Sequence, residues 1–327
     1  MTEEDRPTIS VVVPSYNRAH YLRQTIDSIL QQDYPHIECI VIDAGSTDDS
    51  VDILKDYGDR ISWAIETDRG AFDAINKGWE RSSGEILAWL NADDCWEPGA
   101  ATAIAAHFRA HPVTDVVYGD CGGMDEVGRL VEIFPARQWD LVAAVRECDH
   151  VINQAAAFVR RSAVERVGGL YPAWCHDHDL WLRLGASGAR FEAIPLHLAS
   201  SRLQNANLGN VPGVVIPAKL GLTRRFFQLP GLSPELRTLR RRALSNAFVR
   251  GFSYLRPRHV THWGWGLVCL HGAISSDPAN TPYVIGEIAR EIRHILPSRA
   301  QSVLAFALLA AFLWRLGRLE RAIKGEK

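Results

Sequence analysis

Within its first hundred residues the chain alternates four short apolar runs with four stretches of helical spacing, and this alternation restricts the fold more than any other feature. Ile9-Ser10-Val11-Val12-Val13 is β-branched and meets Pro14; Ile37–Asp43 and Ile61–Glu66 follow the same plan, and Ile86–Leu90 is apolar throughout. Such runs read as strands buried on both faces. Tyr21–Gln32 carries apolar residues at 22, 26, 29 and 30, and Asp49–Tyr57, Ala71–Arg81 and Gly99–His111 complete the helical set. Strands separated by helices at this pitch predict an α/β fold built on a mainly parallel sheet, because a parallel neighbour can be reached only through a crossover. Ligands of such sheets sit beyond the carboxyl ends of the strands.

Polar residues gather at those ends. They are Pro14-Ser15-Tyr16-Asn17, Asp43-Ala44-Gly45-Ser46-Thr47-Asp48, Glu66-Thr67-Asp68-Arg69-Gly70 and Asn91-Ala92-Asp93-Asp94. Four such loops on one rim, three of them rich in carboxylates, suit a cation and its anionic partner. Asp93 and Asp94 follow an apolar strand, where adjacent carboxylates are costly unless neutralised. Mg2+ or Mn2+ answers this, since both favour oxygen ligands and bind through one or two carboxylates plus substrate phosphates. The competing reading is a helix start, because Glu97-Pro98-Gly99 follows. Asp43 can accept hydrogen bonds from a base or ribose, or shape the turn it begins. His176-Asp177-His178-Asp179 can bind metal, supply a general base, or place acidic side chains at the N-terminus of the helix that continues through Leu184. A tetrahedral zinc site there lacks a second ligand pair at matching spacing.

Composition narrows the class. The 327 residues are 47% apolar and 23% charged, which excludes wholesale disorder. The net charge of −2 hides an asymmetry: the first 200 residues carry 17 basic and 32 acidic side chains, the remainder 19 and 6. The basic tail is either an ordinary solvated surface or one that faces anionic lipid; nucleic acid is disfavoured because the basic residues are not interleaved with aromatics. GxGxxG and GxxxxGK[ST] are absent, which removes the usual signatures of dinucleotide and P-loop sites. Cys39, Cys95, Cys121, Cys148, Cys175 and Cys269 form no CxxC pair, and residues 1–7 do not resemble a signal peptide, so a reducing, cytoplasmic setting is expected.

Beyond residue 115, Val116–Tyr118, Leu130–Phe134 and Ala155–Val159 look like strands and Leu180–Ala186 like a helix. From about 210 the chain reads as helical, with Ser233-Pro234-Glu235 as a helix start and Ser298–Ile323 as a final helix. The apolar run Val303–Trp314, flanked by Arg299, Arg315, Arg318 and Arg321, has the make-up of a helix lying in a membrane interface or packed on a partner. It falls short of the roughly 20 apolar residues a spanning helix needs. The expected division is a catalytic unit over 1–210 and a helical region over 211–327.

Taken in order, Pro14-Ser15-Tyr16-Asn17-Arg18, Ile42-Asp43-Ala44-Gly45-Ser46-Thr47-Asp48, Asp68-Arg69-Gly70, Asp73-Ala74-Ile75-Asn76-Lys77-Gly78 and Gly84-Glu85 to Asn91-Ala92-Asp93-Asp94 resemble the family 2 glycosyltransferases of GT-A fold. Asn153-Gln154, Arg160-Arg161-Ser162, Gly168-Gly169 and Asp177–Arg183 extend the resemblance, which covers residues 8 to 200. It implies inverting transfer of a sugar from a nucleotide-diphosphate sugar donor to an acceptor hydroxyl, expected on a glycan or, if the tail binds a membrane, on a lipid-linked glycan. Pro14, Tyr16, Asp43 and Asp68 would serve the nucleoside, and Asn76, Asn91 and Ala92 the donor more broadly. Asp93 would ligate Mn2+ or Mg2+, and Asp177 would be the general base, with Asp179 as its rival. The sequence departs from the family pattern at Asn91, an amide at the first DxD position, and at His176, where many relatives have Glu. Gln-x-x-Arg-Trp is absent, so addition of a single sugar is expected. Two other readings share the α/β plan: a nucleotidyltransferase making an activated sugar, and an inactive nucleotide-sugar-binding module.

Overall fold

The apolar runs form one side of a mixed, nine-stranded sheet. The structure is a computed structural model that describes residues 6–148, 151–173, 175–203, 212–253 and 261–287. Strands β1 (Ile9–Ser15), β2 (Ile37–Asp43), β3 (Ser62–Ile65) and β4 (Ile86–Trp89) are parallel in the order β3-β2-β1-β4. The crossovers are α1 (Ala19–Leu30), α2 (Ser50–Tyr57) and α3 (Ala71–Arg81). The chain continues through β5 (Cys95–Trp96), α4 (Ala100–Ala110), β6 (Val116–Met124), β7 (Leu130–Phe134), α5 (Leu141–Glu147), β8 (Ala157–Arg160), α6 (Arg161–Val167), α7 (His176–Ala186) and β9 (Phe191–Arg202). β8 lies antiparallel between β4 and β6, β9 runs parallel to β6, and β5 closes the far edge against β9.

Alternation along β1 divides the core between the two faces, as the period of two requires. Val11 and Val13 pack with Leu22 and Ile26 of α1 and Ile104 of α4. Val12 packs with Ile75 and Trp79 of α3, with Trp89, and with Trp181 of α7. Gly78 lets α3 lie directly on the sheet: a Cβ there would stand 2.5 Å from both Val12 methyl groups.

The strand does not stop at Pro14 as the sequence predicts; β1 continues to Ser15, with Pro14 opposite Ile42. The Leu90 N–H donates to the Val12 carbonyl, so that residue and its second neighbour Pro14 face β4. The β1–β4 ladder ends at Val12–Trp89, and the missing proline N–H therefore costs no ladder bond.

The helical C-terminal region expected from the sequence is present as α8 (Pro212–Phe226), α9 (Pro234–Thr238), α10 (Arg240–Ser253) and α11 (Thr261–Ser276). Ser233 caps α9, its hydroxyl accepting from the Leu236 N–H at 3.2 Å. Leu222, Phe226, Leu232, Leu236 and Ala243 join the same apolar cluster as Trp89 and Trp181. Part of the basic tail is internally satisfied, since Arg242 pairs with Asp277 at 2.7 Å and Arg237 donates to the Leu232 carbonyl. Among the described residues no helix is long and apolar enough to cross a membrane. The helix expected over 298–323 lies outside the described residues.

Candidate active site

Because β1 to β4 are parallel, their carboxyl ends share one rim, and the polar loops meet there. Asp43 is fully buried at the end of β2 and all its lone pairs turn inward. One carboxylate oxygen accepts from the Gly45 and Ser46 N–H groups at 3.0 and 2.7 Å, and the other from the Ser15 and Ser46 hydroxyls at 3.0 and 2.6 Å. Gly45 supplies the positive φ of 87° that this turn needs. Asn17, itself at φ 51°, accepts from the Thr47 N–H, so the loops after β1 and β2 are stitched together. Asp43 thus shapes the turn it begins, and its neighbour Ala44 lines the cleft.

The loop after β4 separates its two aspartates. Asp94 is buried; its carboxylate accepts from the Arg202 backbone N–H at 2.9 Å and the Asn91 amide at 3.0 Å, while its carbonyl accepts from Thr25. Burial, and then the charge of Asp93, push its carboxyl up to about 7. Asp93 faces the opening with 13% of its side chain exposed and Arg18 Nε at 3.9 Å. Burial raises its carboxyl above the usual range, and the Arg18 and Arg202 charges oppose that rise. Neither residue starts a helix: α4 begins at Ala100 after a left-handed Gly99, with β5 in between.

The cleft between these loops has a volume of about 870 Å³. Of the residues expected at the site, Pro14, Tyr16, Asp68, Asn91, Ala92 and Asp93 line it. Tyr16 is 58% exposed, and the Asp68 carboxylate holds its loop by accepting from the Gly70 N–H. Asn76 is not brought there. Its amide exchanges two hydrogen bonds with the Leu170 backbone, at 2.8 and 2.9 Å, tying α3 to the loop that leads into α7. In this structure Asn76 positions that loop.

Asp177 stands half-buried in the first turn of α7 and is not part of the cleft lining. Its rival Asp179 is committed elsewhere: Arg183 Nε donates to it at 2.7 Å and Arg225 lies at 3.4 Å. The same Arg183 guanidinium donates to the Val167 and Gly169 carbonyls and stacks over Tyr171 at 4.0 Å. Both oxygens of the Asp179 carboxylate are thus occupied by guanidiniums. Of the two, Asp177 is half-buried and Asp179 fully buried.

Arg202, at the end of β9, escapes the sequence reading altogether. It is 3% exposed and donates to the carbonyls of Asp93, Asp125 and Glu126 and to the Gln24 side chain, at 2.8–3.0 Å. Its guanidinium also covers the Tyr21 ring at 4.3 Å. This one side chain clasps the aspartate loop to α1 and to the β6–β7 turn. No motif surrounds Ser200-Ser201-Arg202, so local sequence carries no signal for it. Gln154 adds a second unforeseen feature, a buried side-chain oxygen at the cleft without a hydrogen-bond partner among the described residues.

The donor set fits a hard divalent cation. Asp93 offers a partly desolvated carboxylate oxygen, Asp94 stands behind it held by its own donors, and no thiol or imidazole of the described residues lines the cleft. All six cysteines are free and buried.

Comparison with known proteins accords with this architecture. The S. aureus TarS fragment 1–349 in complex with UDP-GlcNAc superposes with a TM-score of 0.62 at 16% identity, covering 90% of this chain and 92% of that one. The mannosyltransferase PcManGT of Pyrobaculum calidifontis, in complex with GDP-Man and Mn2+, gives 0.60 at 19% identity over 95% of this chain and 87% of its own. Both share the GT-A fold. In sequence, an uncharacterized glycosyltransferase of Rickettsia typhi is 40% identical over 92 residues, 28% of this chain and 29% of that protein. A PGL/p-HBAD biosynthesis glycosyltransferase of Mycobacterium bovis is 35% identical over 119 residues, 35% of this chain and 46% of its own length. The chain thus spans less than half the length of these relatives. The profile of glycosyl transferase family 2 matches residues 10–180, and the chain belongs to that family.

Proposed function

We propose that the chain is a glycosyltransferase that moves one sugar from a nucleotide-diphosphate sugar to a hydroxyl acceptor, with inversion, in glycan or polysaccharide assembly. The observation that carries this reading is Asp93, a partly desolvated carboxylate at the floor of a cleft at the carboxyl ends of β1 and β4. Pro14, Tyr16 and Asp68 form the side of the cleft suited to a nucleoside, with Tyr16 presenting an exposed ring. Asn91 offers an amide to phosphate or sugar, and Asp93 holds Mn2+ or Mg2+. When bound, that ion neutralises the diphosphate as a Lewis acid. Asp177 takes the proton of the incoming hydroxyl from the face opposite the leaving group. For this the acceptor must seat between α7 and the cleft, within hydrogen-bond reach of the carboxylate. GDP-Man and UDP-GlcNAc occupy the two structural neighbours, which supports the donor class and leaves base and sugar to be found by assay.

The test is a panel of nucleotide sugars with Mn2+ and, separately, Mg2+. Release of nucleoside diphosphate supports the transferase. Release of pyrophosphate would instead mark a nucleotidyltransferase, and metal-dependent binding without turnover an inactive module. Within that assay Asp177→Asn is expected to lower kcat by about 10²–10⁴-fold, the usual worth of a positioned base. The donor KM should be unchanged. An equal loss in Asp179→Asn without loss of fold would move the base to Asp179.

A lipid-linked acceptor and peripheral contact with an anionic membrane extend the proposal to residues 298–327. In flotation with vesicles containing phosphatidylserine, the full chain is expected to float and a chain lacking 298–327 to remain behind. Equal behaviour of the two rules out this membrane role.

A further inference from the structure

On the surface of α4 a second group of metal-ligating side chains comes together. His107 lies in the last turn of the helix and His111 is its C-cap residue, one turn on. Glu192, near the start of β9, faces them, and one ligand atom from each of the three lies within 4.8 Å of the others. His107 Nε2 meets a Glu192 carboxylate oxygen at 2.5 Å, and the two imidazole rings stack with centroids 4.2 Å apart.

We propose that His107, His111 and Glu192 form a divalent-cation site of the zinc class, separate from the oxygen-donor site at Asp93. Two imidazoles and one carboxylate are a ligand set that zinc accepts while keeping a fourth position open to water. Hard ions such as Mg2+ prefer all-oxygen sites, so the two sites differ in chemical class.

The surroundings hold these ligands in place. His111 Nδ1 bonds the His107 carbonyl at 3.0 Å, which leaves Nε2 as the basic nitrogen. The Thr114 hydroxyl donates to the other Glu192 oxygen at 2.7 Å, orienting the carboxylate. The position at the C-terminus of α4 places a cation against the negative end of that helix. Bonds of about 2.0–2.1 Å put tetrahedral ligands about 3.4 Å apart, so from separations of at most 4.8 Å the widest pair must close by up to about 1.4 Å and the His107–Glu192 pair at 2.5 Å must open by about 0.9 Å. His111 is exposed, so solvent and not packed protein bounds its ring on the outer side. An ion there would tie the end of α4 to the start of β9, the strand that ends at Arg202.

The test is Zn2+ binding by the full chain in competition with a chromophoric chelator at neutral pH, with millimolar Mg2+ present to fill the oxygen-donor site. The wild type is expected to hold one more Zn2+ than His111→Ala or Glu192→Gln, and Asp93→Asn is expected to keep that ion. Zn2+ should also raise the Tm of the wild type and not that of His111→Ala. Equal Zn2+ stoichiometry in wild type and both variants would overturn the proposal and leave a hydrogen-bonded surface pair. Loss of the ion in Asp93→Asn alone would assign it to the cleft and overturn it equally. Glu192→Gln keeps the shape of its residue, so it decides the matter if His111→Ala folds poorly.

Discussion

Asp93→Asn is expected to lower kcat by about a thousandfold or more while leaving the fold intact. The exchange is nearly isosteric, and it removes the more exposed of the two β4-loop carboxylates that line the cleft. With Asn91 already an amide, the loop is left with Asp94, whose oxygens are taken up by Arg202 N–H and the Asn91 amide. A metal at a developing diphosphate charge contributes several kcal/mol, and each 1.36 kcal/mol is about tenfold in rate. The measurement is nucleoside diphosphate release against Mn2+ concentration, with far-UV circular dichroism as the control for folding. A variant with unchanged rate and unchanged metal dependence removes Asp93 as the ligand.

The second large effect lies outside the family motif. Arg202→Met is expected to destabilise the protein by about 3–5 kcal/mol, the usual result of removing one partner from a buried charge network. The substitution leaves the Asp93, Asp125 and Glu126 carbonyls and the Gln24 side chain without their donor. It also strips positive charge from beside the buried Asp94 and the partly buried Asp93. Met is of similar length, so lost packing accounts for little of the effect. Arg202→Lys should recover part of the charge but not the fork that reaches three segments at once. Chemical denaturation of the three proteins checks this ranking. A midpoint unchanged in Arg202→Met would show that the clasp is dispensable.

The two predictions differ in how they could be found. Asp93 is visible in the sequence because an apolar strand running into carboxylates is unusual and costly, and because the four loops repeat the pattern at one pitch. The strands and helices of the first hundred residues are visible for the same reason: β2 and α3 have the bounds that periodicity predicts. β9 is not visible. Phe191–Arg202 contains Pro195 and has no clean alternation, and it is a strand because it pairs along β6 through two shifts of register.

What the sequence determined by itself was the order of elements, the rim on which polar loops gather and the class of ligand those loops suit. These follow from local periodicity and from the cost of carboxylates beside buried strands. Tertiary structure alone decided which way each side chain turns. It directed Asp43 into its own turn, Asn76 onto Leu170 and Asp179 onto Arg183 and Arg225, and it kept Asp93 and Asp177 only half-buried. It also joined Arg202 to Gln24, 178 residues away. No local pattern encodes such a contact, because it exists only where the folded chain brings a donor and several acceptors together out of water.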